Sequence, residues 1–586
     1  MGERLKSQTN FVFVVSELNF VALVFRVLTK CSVAYVSVAC FTLVGQAVLK
    51  PLMLKLLQKK RVRIIDVTVL SESDPQAVTQ IPLQVLYTAL SDYSVNWQGL
   101  AKLEGVHLHL GAEGILQAQN GWLADYLYKK EYLATVASYL ASNLAHPVVF
   151  SGLQPRAGQL PNSDSSTLFT VATAIGTLCM RLGYAVANFI NLLTLVVVAF
   201  IFLLLRVRRR VAPTPVSFAM YLRIWDYHLP SFTNLIQRSK VYCYDPESAA
   251  AAQLCRTSGI IHFASIKDTQ IRLCAVPKFL FTAIYCAVRD YFSLLTYNPK
   301  VCKNLLFCWL KAAVYENFFW QYQTKYLFCT ADYIPDHALR SAALRRTGGT
   351  PIGIAHGIAN YPPAPNWQFL DYDLYFGMSQ NLYKQDYVAT WSKNMTFQAI
   401  KTPHGERETF APAQKSNTVT WFLAPDAEED WLVYQVRALA SALTSHQIYI
   451  RPKPGQFIGR KSMLDKLSQL NLSNLCVQTT ESAFGSYVLL TNSKYCITTG
   501  STMMIEAIQY NTIPFCLDCH PNTANFFYRR YPFLCYPEIG QIASRIREIE
   551  MHPASFSWEP YHLLAEIDAP TLREQLDLLQ AENPFI

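Results

Sequence analysis

The chain has 586 residues, of which 51% are hydrophobic, 13% aromatic and only 16% charged. This length suits two or three domains with large cores, and the composition is more apolar than that of an average soluble domain, which indicates contact with a membrane. The net charge of +10 is concentrated locally, as at Arg206 and Arg208–Arg210, a pattern that favours attraction to anionic lipid and argues against nucleic acid as a partner.

The first predicted elements alternate between strand and helix over residues 11–68. Predicted strands at Phe11–Ser16, Ser32–Ala39 and Arg63–Leu70 are separated by predicted helices at Glu17–Lys30 and Cys40–Gln58. Such spacing is typical of parallel, right-handed βαβ units. The uncharged stretch Cys31–Leu49 can also be interpreted as a membrane span, but the basic residues after it fit a Rossmann-type helix better. No secretory leader is expected before the first strand, and the 15 scattered cysteines suit a reducing cytosol.

Residues 161–215 form the most apolar part of the chain. Gly183–Leu205 is a run of 23 uncharged, mostly apolar residues, long enough to cross a bilayer, and the arginines that follow are typical of a cytoplasmic flank. A second uncharged stretch, Ser165–Met180, precedes Arg181. A single crossing would separate the first predicted strands from all later ones. We therefore expect a helical hairpin or a shallow monotopic anchor, with a buried core helix as the alternative.

Pro213 and Pro215 are predicted to end this segment, after which strands and helices alternate again. Predicted strands lie at Ser239–Tyr244, Gly259–Ala264, Tyr326–Thr330, Pro351–Ala355 and Tyr372–Phe376 and, after a loop at Lys401–Arg407, at Val419–Leu423, Gln447–Arg451, Leu475–Gln478, Tyr495–Thr498 and Ile513–Leu517. This pattern predicts an α/β fold in which two Rossmann-like domains face each other across a cleft, with a helical membrane-associating insertion.

The predicted domains follow from this alternation. They are residues 1–160 as the first part of the N-terminal domain with a helical insertion, 161–215 as the membrane hairpin or monotopic anchor, 216–410 as the rest of the N-terminal domain, 411–560 as the C-terminal domain, and 561–586 as a C-terminal helix.

The stretch from Lys494 to Leu517 combines a strand, a Gly-Ser-Thr turn, a helix and a second strand. Gly500 allows the chain to turn sharply. Ser501 and Thr502 are predicted to cap the helix, where free backbone N–H groups suit a phosphate. Glu506 lies one turn further along, on the face of Thr502, where its carboxylate can accept ribose or sugar hydroxyls. An ordinary capped helix in a βαβ unit is the alternative explanation.

Arg451 and Lys453 stand in an Arg-Pro-Lys-Pro loop at the carboxyl end of a predicted parallel strand, the edge at which open α/β sheets bind ligands. Two prolines stiffen this loop. A guanidinium can clamp phosphate oxygens in bidentate fashion, and an ammonium can neutralise a leaving diphosphate. Because the Gly-Ser-Thr turn follows on the same sheet edge, the two loops predict a site for the phosphates of an activated nucleotide; a solvated basic loop is the alternative.

His356 and Gly357 follow the predicted strand at Pro351–Ala355, at a carboxyl end that faces the predicted cleft. An imidazole titrates near neutral pH and can accept the proton of an attacking hydroxyl, and a glycine lets the backbone approach a substrate closely. A histidine that only hydrogen-bonds its own loop is the alternative. His404, in the loop between the two halves, is a weaker candidate for substrate binding, because an exposed hinge histidine explains it at least as well.

No metal or cofactor is predicted. Cys516, Cys519 and His520 have the spacing of covalent haem attachment, but they follow a buried strand and no second axial ligand is evident. A zinc site is not expected either, because no partner pair of Cys or His lies nearby. We identify no Walker loop, no GxSxG elbow, no HExxH and no DxD motif expected to hold a metal-bound phosphate.

These motifs resemble one group of GT-B glycosyltransferases over roughly residues 320–525. The shared features are the His356-Gly357 loop, the Arg451-Pro452-Lys453-Pro454 loop, and the Gly500-Ser501-Thr502 turn with Glu506 in the helix behind it. The group contains glycerophosphotransferases that use CDP-glycerol and capsule transferases for sialic acid and Kdo, which act in surface polysaccharide synthesis. The N-terminal half shows no motif of this family.

The resemblance implies that His356 is the base or a donor ligand, and that the C-terminal motif residues hold the nucleotide. The family usually carries His-Pro where this chain has Lys453-Pro454. A lysine can neutralise phosphate but is a poor acid at neutral pH, so an acid role there is not carried over.

The function implied by the resemblance is that of a metal-independent glycosyltransferase on the cytoplasmic side of the cell membrane. It would move a sugar or a glycerophosphoryl-type group from a nucleotide-activated donor to a glycan or lipid-linked acceptor. Two alternatives stay open: a nucleotide-sugar 2-epimerase, which shares the two-domain cleft but needs no membrane segment, and a non-catalytic membrane scaffold that has kept the fold.

Overall fold

The computed structural model describes four strands between residues 11 and 149, and residues 167–581 apart from 222–228, 239–240, 245–248, 261, 296–298, 331–335, 356, 359–366, 368–369, 384–386, 388–390, 392–393, 402–415, 424–428, 453–460, 479–483 and 519–525. The chain divides into two compact units. Within the described ranges, the first contains the four N-terminal strands, residues 167–205 and Cys274–Ala313, and the second contains Arg206–Leu273 and residues 314–581.

The four N-terminal strands form a parallel sheet of their own. They are β1 (Phe11–Ser16), β2 (Val33–Ala39), β3 (Arg63–Ile65) and β4 (Val148–Val149), in the order β3-β2-β1-β4. Three of them lie where the sequence predicts strands. The sequence analysis placed them in the same domain as residues 216–410, whereas the strands of that later region form a separate sheet in the second unit. Local periodicity identifies a strand, but it does not specify which other strands pair with it.

The long apolar segment is a single helix, α1 (Thr167–Arg206), of 40 residues, which is about 60 Å at 1.5 Å per residue. The predicted hairpin is therefore wrong, because the helix continues through Arg181 without a turn. Arginine is a strong helix former, and no proline lies within the segment. In the part of the chain that the structure describes, Arg181–Arg206 is the one helix whose length and composition allow it to cross a bilayer.

The second unit begins with a seven-stranded sheet. The strands of this region are β5 (Val207–Arg208), β6 (Thr214–Tyr221), β7 (Val241–Tyr244), β8 (His262–Ala264), β9 (Ile271–Arg272), β10 (Tyr322–Cys329), β11 (Thr350–Ile354), β12 (Leu374–Gly377) and β13 (Thr396–Ala399). β5 pairs with β9, and the other seven are parallel in the order β13-β12-β11-β10-β6-β7-β8. Counted from β6, this is the doubly wound order of a Rossmann-like sheet, with its switch point between β6 and β10.

The interior strand β6 was not predicted, and neither was the edge strand β13. The sequence analysis interpreted Pro213 and Pro215 as the end of the preceding segment. In the structure, Pro215 pairs with Gln323 at the beginning of β6, a position at which a missing backbone N–H is tolerated. Further along β6, Phe218 and Met220 alternate into the core of the sheet.

Helices connect the strands of this seven-stranded sheet. They are α2 (Thr233–Arg238), α3 (Ala249–Thr257), α4 (Val276–Leu280), α5 (Cys286–Leu294), α6 (Pro299–Gln321), α7 (Asp336–Arg345) and α8 (Gln380–Tyr383). A π-helical turn, Phe281–Tyr285, joins α4 to α5, so residues 276–294 are helical throughout. The chain leaves the second unit after β9 and returns to it within α6, because Cys274–Ala313 belongs to the first unit.

A six-stranded parallel sheet follows in the second unit. Its strands are β14 (Ser416–Leu423), β15 (Gln447–Pro452), β16 (Leu475–Val477), β17 (Ser493–Thr498), β18 (Ile513–Leu517) and β19 (Cys535–Tyr536). The order β16-β15-β14-β17-β18-β19 is again the Rossmann-type order, with its switch point between β14 and β17. The first five of these strands overlap the predicted ones, so the prediction of two Rossmann-like sheets is confirmed.

Seven helices belong to this C-terminal region, and the last two extend back to the first sheet. They are α9 (Glu429–Ala442), α10 (Lys461–Ser468), α11 (Phe484–Asn492), α12 (Met503–Gln509), α13 (Ile539–Met551), α14 (Glu559–Ala565) and α15 (Leu572–Ala581). α14 packs on α12, and α15 packs on α2. Leu572 and Leu576 of α15 pack in the core of the seven-stranded sheet. The predicted single C-terminal helix is thus a pair of helices that connects the two sheets.

We expect Leu576→Ala to destabilise the second unit. Leu576 is 1% exposed and packs in the core of the first sheet, and truncating a buried leucine to alanine costs about 2–5 kcal/mol. Leu578, two residues further along the same helix, is 56% exposed, so Leu578→Ala should change stability by less than about 0.5 kcal/mol. Thermal melts of the two variants provide the measurement, and equal shifts in melting temperature would contradict the docking of α15.

Candidate functional site

The switch point of the six-stranded sheet brings two of the predicted motifs to one level. Phe422 of β14 pairs with Arg451 of β15 on one side and with Thr498 of β17 on the other. Arg451 and Thr498 therefore lie two strand spacings apart, about 10 Å. The Arg-Pro-Lys-Pro loop and the Gly-Ser-Thr turn leave the sheet from neighbouring positions at its carboxyl edge, where open α/β sheets bind their ligands.

The Gly-Ser-Thr turn depends on a glycine with positive φ. Gly500 has φ +114°, a conformation that residues with a side chain rarely adopt, and its N–H donates to Thr498 Oγ1 at 3.0 Å. Ser501 Oγ accepts from the backbone N–H of Met503 at 3.3 Å, close to the predicted capping role. Thr502 occupies the N-cap position with helical dihedral angles and makes no capping bond, which corrects the prediction for this residue.

Thr502 contacts the other sheet instead. Its Oγ1 accepts a hydrogen bond from the backbone N–H of Ile358 at 3.3 Å. Ile358 follows β11 of the seven-stranded sheet, so the loops at the carboxyl ends of β11 and β17 meet at this point. The approach is close, because a Cβ built on Gly357 would lie 2.7 Å from Thr502 Oγ1. A side chain at position 357 would therefore force Thr502 or one of the two loops to shift.

Two buried tyrosines hold the two loops in place. Tyr383, at the end of α8, donates its hydroxyl to the carbonyl oxygen of Gly357 at 2.7 Å. Tyr528 donates its hydroxyl to the carbonyl oxygen of Ser501 at 2.5 Å. Burial raises the pKa of Tyr528 well above its ordinary value, so this phenol stays protonated and keeps donating. The sequence analysis missed both tyrosines, because neither lies in a recognisable motif and both act on backbone atoms distant in sequence.

Glu506 lies inside the protein. It is 3% exposed, and its carboxylate faces Tyr510 and Tyr528, whose pKa values are raised first by burial and further by this charge. The sequence placed Glu506 on the face of Thr502, one turn into α12. Because of this depth, a ligand hydroxyl reaches Glu506 only after entering the interior.

Arg451 is also buried. Its side chain is 1% exposed, its Nε lies 3.4 Å from Ser486 Oγ, and burial lowers the pKa of the guanidinium below its ordinary value. An arginine keeps its charge under such conditions. The sequence analysis expected this side chain to project from the loop, whereas it places a positive charge inside the protein, at the carboxyl end of β15 next to β14.

Three predicted site residues, His356, Lys453 and His404, lie outside the described residues. The positions on either side of His356 are described: the N–H of Ala355 donates to the carbonyl oxygen of Phe376 at 2.8 Å, and Gly357 has the contacts given above. Pro452, the residue before Lys453, is the last of β15.

One acidic motif escaped the sequence analysis. Asp371-Tyr372-Asp373 has the DxD spacing that can hold a metal. Both carboxylates instead bind the guanidinium of Arg345, at 2.8 Å from Asp371 and 2.6 Å from Asp373. They therefore form ion pairs with helix α7, beside the seven-stranded sheet. In the portion of the chain that the structure covers, no group of three or more His, Cys, Asp or Glu side chains is arranged to hold a metal ion.

No protein-family model matches the sequence, and no curated protein matches it. Among solved structures, the chain is similar to the UDP-GlcNAc 2-epimerase of Neisseria meningitidis bound to UDP-GlcNAc, with 11% identity and a TM-score of 0.42, over 63% of this chain and 100% of that one. It is also similar to the calicheamicin glycosyltransferase CalG4, with 10% identity, a TM-score of 0.38 and the same coverage, and to MurG of Acinetobacter baumannii, with 11% identity, a TM-score of 0.35 and the same coverage. Because these identities and TM-scores are low, the fold is described by the strand orders given above.

Proposed function

We propose that the protein is a metal-independent, membrane-associated glycosyltransferase with a GT-B arrangement. It transfers a sugar, or a glycerophosphoryl-type group, from a nucleotide-activated donor to a glycan or lipid-linked acceptor in surface polysaccharide synthesis, on the cytoplasmic side of the cell membrane. The observation that carries the proposal is the hydrogen bond between the N–H of Ile358 and Thr502 Oγ1 at 3.3 Å. It joins the carboxyl-end loops of two Rossmann-like sheets at the predicted catalytic and phosphate-binding motifs.

The proposed donor site combines two cations. Arg451 is a buried cation at the end of β15, and Lys453, the residue after Pro452, carries an ammonium suited to phosphate. The Gly-Ser-Thr turn contributes backbone N–H groups and the hydroxyl of Ser501. We infer that these groups stabilise the charge that develops on the leaving nucleotide, which is the largest contribution available to such a site.

The proposed reaction needs one base. The acceptor hydroxyl oxygen forms a bond to the transferred carbon or phosphorus, and its proton passes to the imidazole of His356. The bond to the nucleotide phosphate breaks with its electron pair on the phosphate oxygen, where the cations balance the new charge.

A panel of CMP-, CDP-, UDP- and GDP-activated donors, titrated by calorimetry against the full-length protein, tests the proposal. We expect one nucleotide class to bind, and transfer to be seen once an acceptor is supplied. Binding of no nucleotide would contradict the proposal and favour a scaffold. Release of an isomerised sugar without an acceptor would also contradict it and favour a 2-epimerase.

We expect Lys453→Ala to weaken donor binding by about 10- to 100-fold, because a hydrogen bond to a charged group contributes about 1.5–3 kcal/mol. Lys466→Ala is the matched control, since this lysine is 43% exposed and pairs with Glu429 and Asp430 on the surface. The same calorimetric titration gives both affinities. If both variants bind donor like the parent, Lys453 does not contact the phosphates.

A further inference from the structure

The helix α1 and the helical segment 276–294 expose large apolar side chains together. On α1 these are Leu178, Leu182, Val186, Phe189, Ile190, Leu193, Val197, Val198, Phe200, Ile201, Leu204 and Leu205. Phe281, Tyr285 and Phe292 of the second segment are 57–71% exposed. A contiguous apolar surface of this kind marks an interaction site on a folded protein.

The two helices run antiparallel and touch at two separated points. The rings of Phe202 and Phe279 stack with centroids 6.0 Å apart. At the other end, Asn188 Nδ2 donates to the carbonyl oxygens of Leu294 and Leu295 at 2.9 and 3.0 Å. These contacts are separated by 14 residues on α1 and by 15 on the second segment, or about 21–23 Å of helix. The segment 276–294 is therefore the antiparallel partner of α1. The hairpin expected from the sequence would have placed that partner at residues 165–180.

Several polar groups in and beside these helices bond to other groups of the protein. Asn188 is fully buried, and it bonds the end of α5, where helix carbonyls otherwise depend on water. Asn191 Nδ2 donates to the carbonyl oxygen of Pro299 at 2.8 Å. Asp290, 3% exposed, pairs with Arg289 at 3.0 Å and accepts from Trp309 Nε1 at 2.8 Å. In a bilayer core, backbone and side-chain polar groups must be satisfied in this way.

Charge and connectivity agree with a lipid surface. The apolar run of α1 is followed directly by Arg206, and Arg208–Arg210 are exposed, as expected beside anionic headgroups. The strands β8 and β10 belong to one sheet, and Cys274–Ala313 lies between them in the chain, so this segment must return to the side of the membrane that it leaves.

We propose that α1 and residues 276–294 insert together into a bilayer with anionic headgroups, as a preassembled pair of antiparallel helices. The pair buries the apolar side chains named above in hydrocarbon. Asn188 bonds the carbonyl oxygens at the end of the second helix. This inference specifies the membrane contact of the proposed function, but it does not depend on transferase activity, since its test contains no donor.

The test is flotation of the full-length protein with vesicles of phosphatidylcholine alone or mixed with phosphatidylglycerol, combined with amide hydrogen exchange. We expect flotation with the mixed vesicles and slower exchange over residues 276–294 when vesicles are present, with no change over α9. Flotation without protection of 276–294 would mean that α1 inserts alone and would overturn the pair. An absence of flotation, or a soluble dimer that protects the same face, would overturn membrane insertion.

Matched double variants sharpen the test. Phe281→Glu with Phe292→Glu should reduce partitioning into vesicles by at least about tenfold, because two aromatic side chains leave the hydrocarbon. Tyr434→Glu with Leu563→Glu replaces two side chains that are 67% and 70% exposed in the second unit and should leave partitioning unchanged. All four positions are exposed, so equal thermal melts in detergent are expected. Equal partitioning of both double variants would overturn the proposal.

Discussion

Replacing His356 by alanine should reduce transfer by about 10²–10⁴-fold, the usual contribution of a general base, while the affinity for the donor changes little. The reason is chemical, because the imidazole takes the proton of the acceptor hydroxyl and makes no required contact with the leaving phosphate. Gly357 and Ile358, the residues after His356, contact the Gly-Ser-Thr turn, so His356 is tied by the chain to the proposed donor site. Initial rates and calorimetric donor affinity measured on the same preparation separate the two effects.

His552→Ala is the matched control for this prediction, because His552 is an exposed histidine at the end of α13 and lies outside both proposed motifs. The parent should also lose activity at acid pH, because a protonated imidazole cannot act as a base. The residual activity of His356→Ala should lack this acid limb. Full turnover in His356→Ala, or an unchanged acid limb, would assign the base to another group.

The C-terminal sheet could be predicted closely from the sequence because its local signals agree with one another. Ile513–Leu517 was predicted with the bounds that the structure shows, and Tyr495–Thr498 lies within β17. Both strands are buried on both faces, and both are bounded by turn residues, so the apolar run identifies the strand. Local chemistry of this kind is fully present in a short window of sequence.

The N-terminal half was harder to predict because its organisation depends on long-range pairing. β6 pairs with β10 more than a hundred residues later, and the prolines at its beginning argue locally against a strand. β1 and β2 were predicted and are parallel, but their sheet partners follow from the tertiary fold. Likewise, the antiparallel partner of α1 is supplied by residues 276–294, and no periodicity within residues 161–215 points to it.

The sequence predicted the motifs of the candidate site, but it did not predict the contacts between them. The sequence identified the turn at residues 500–502 and the loop at residues 356–357, which lie 144 residues apart at the bond between Ile358 and Thr502. It predicted a capping bond for Thr502, because threonine at that position is a good cap in isolation. In the folded chain, the competing donor from Ile358 takes that oxygen. The tyrosines that fix both loops carry no local signal at all.

Gly357→Ala should reduce transfer by about 10²-fold without unfolding the protein. The new Cβ would lie 2.7 Å from Thr502 Oγ1, so either Thr502 rotates and gives up its bond to Ile358, or one of the two loops moves by the better part of an ångström to reach ordinary van der Waals contact. Misplacement of about 1 Å at a catalytic site costs about 10²-fold in rate. Steady-state rates with saturating donor and acceptor, together with a thermal melt of the same sample, measure the two consequences separately.

A second substitution shows whether the loss comes from this contact. Thr502→Ala removes Oγ1, and the next nearest atom, Thr502 Cβ, is 3.8 Å from the added methyl group. In that background, Gly357→Ala should cost only a few-fold, which is a coupling of about 1.5–2.5 kcal/mol, within the range found for residues in contact. Thr502→Ser keeps the hydroxyl and the clash, so it should not relieve the loss. If Gly357→Ala costs the same in all three backgrounds, the loops of the two sheets do not meet at Thr502 during turnover, and the joint site on which the proposed mechanism depends does not form.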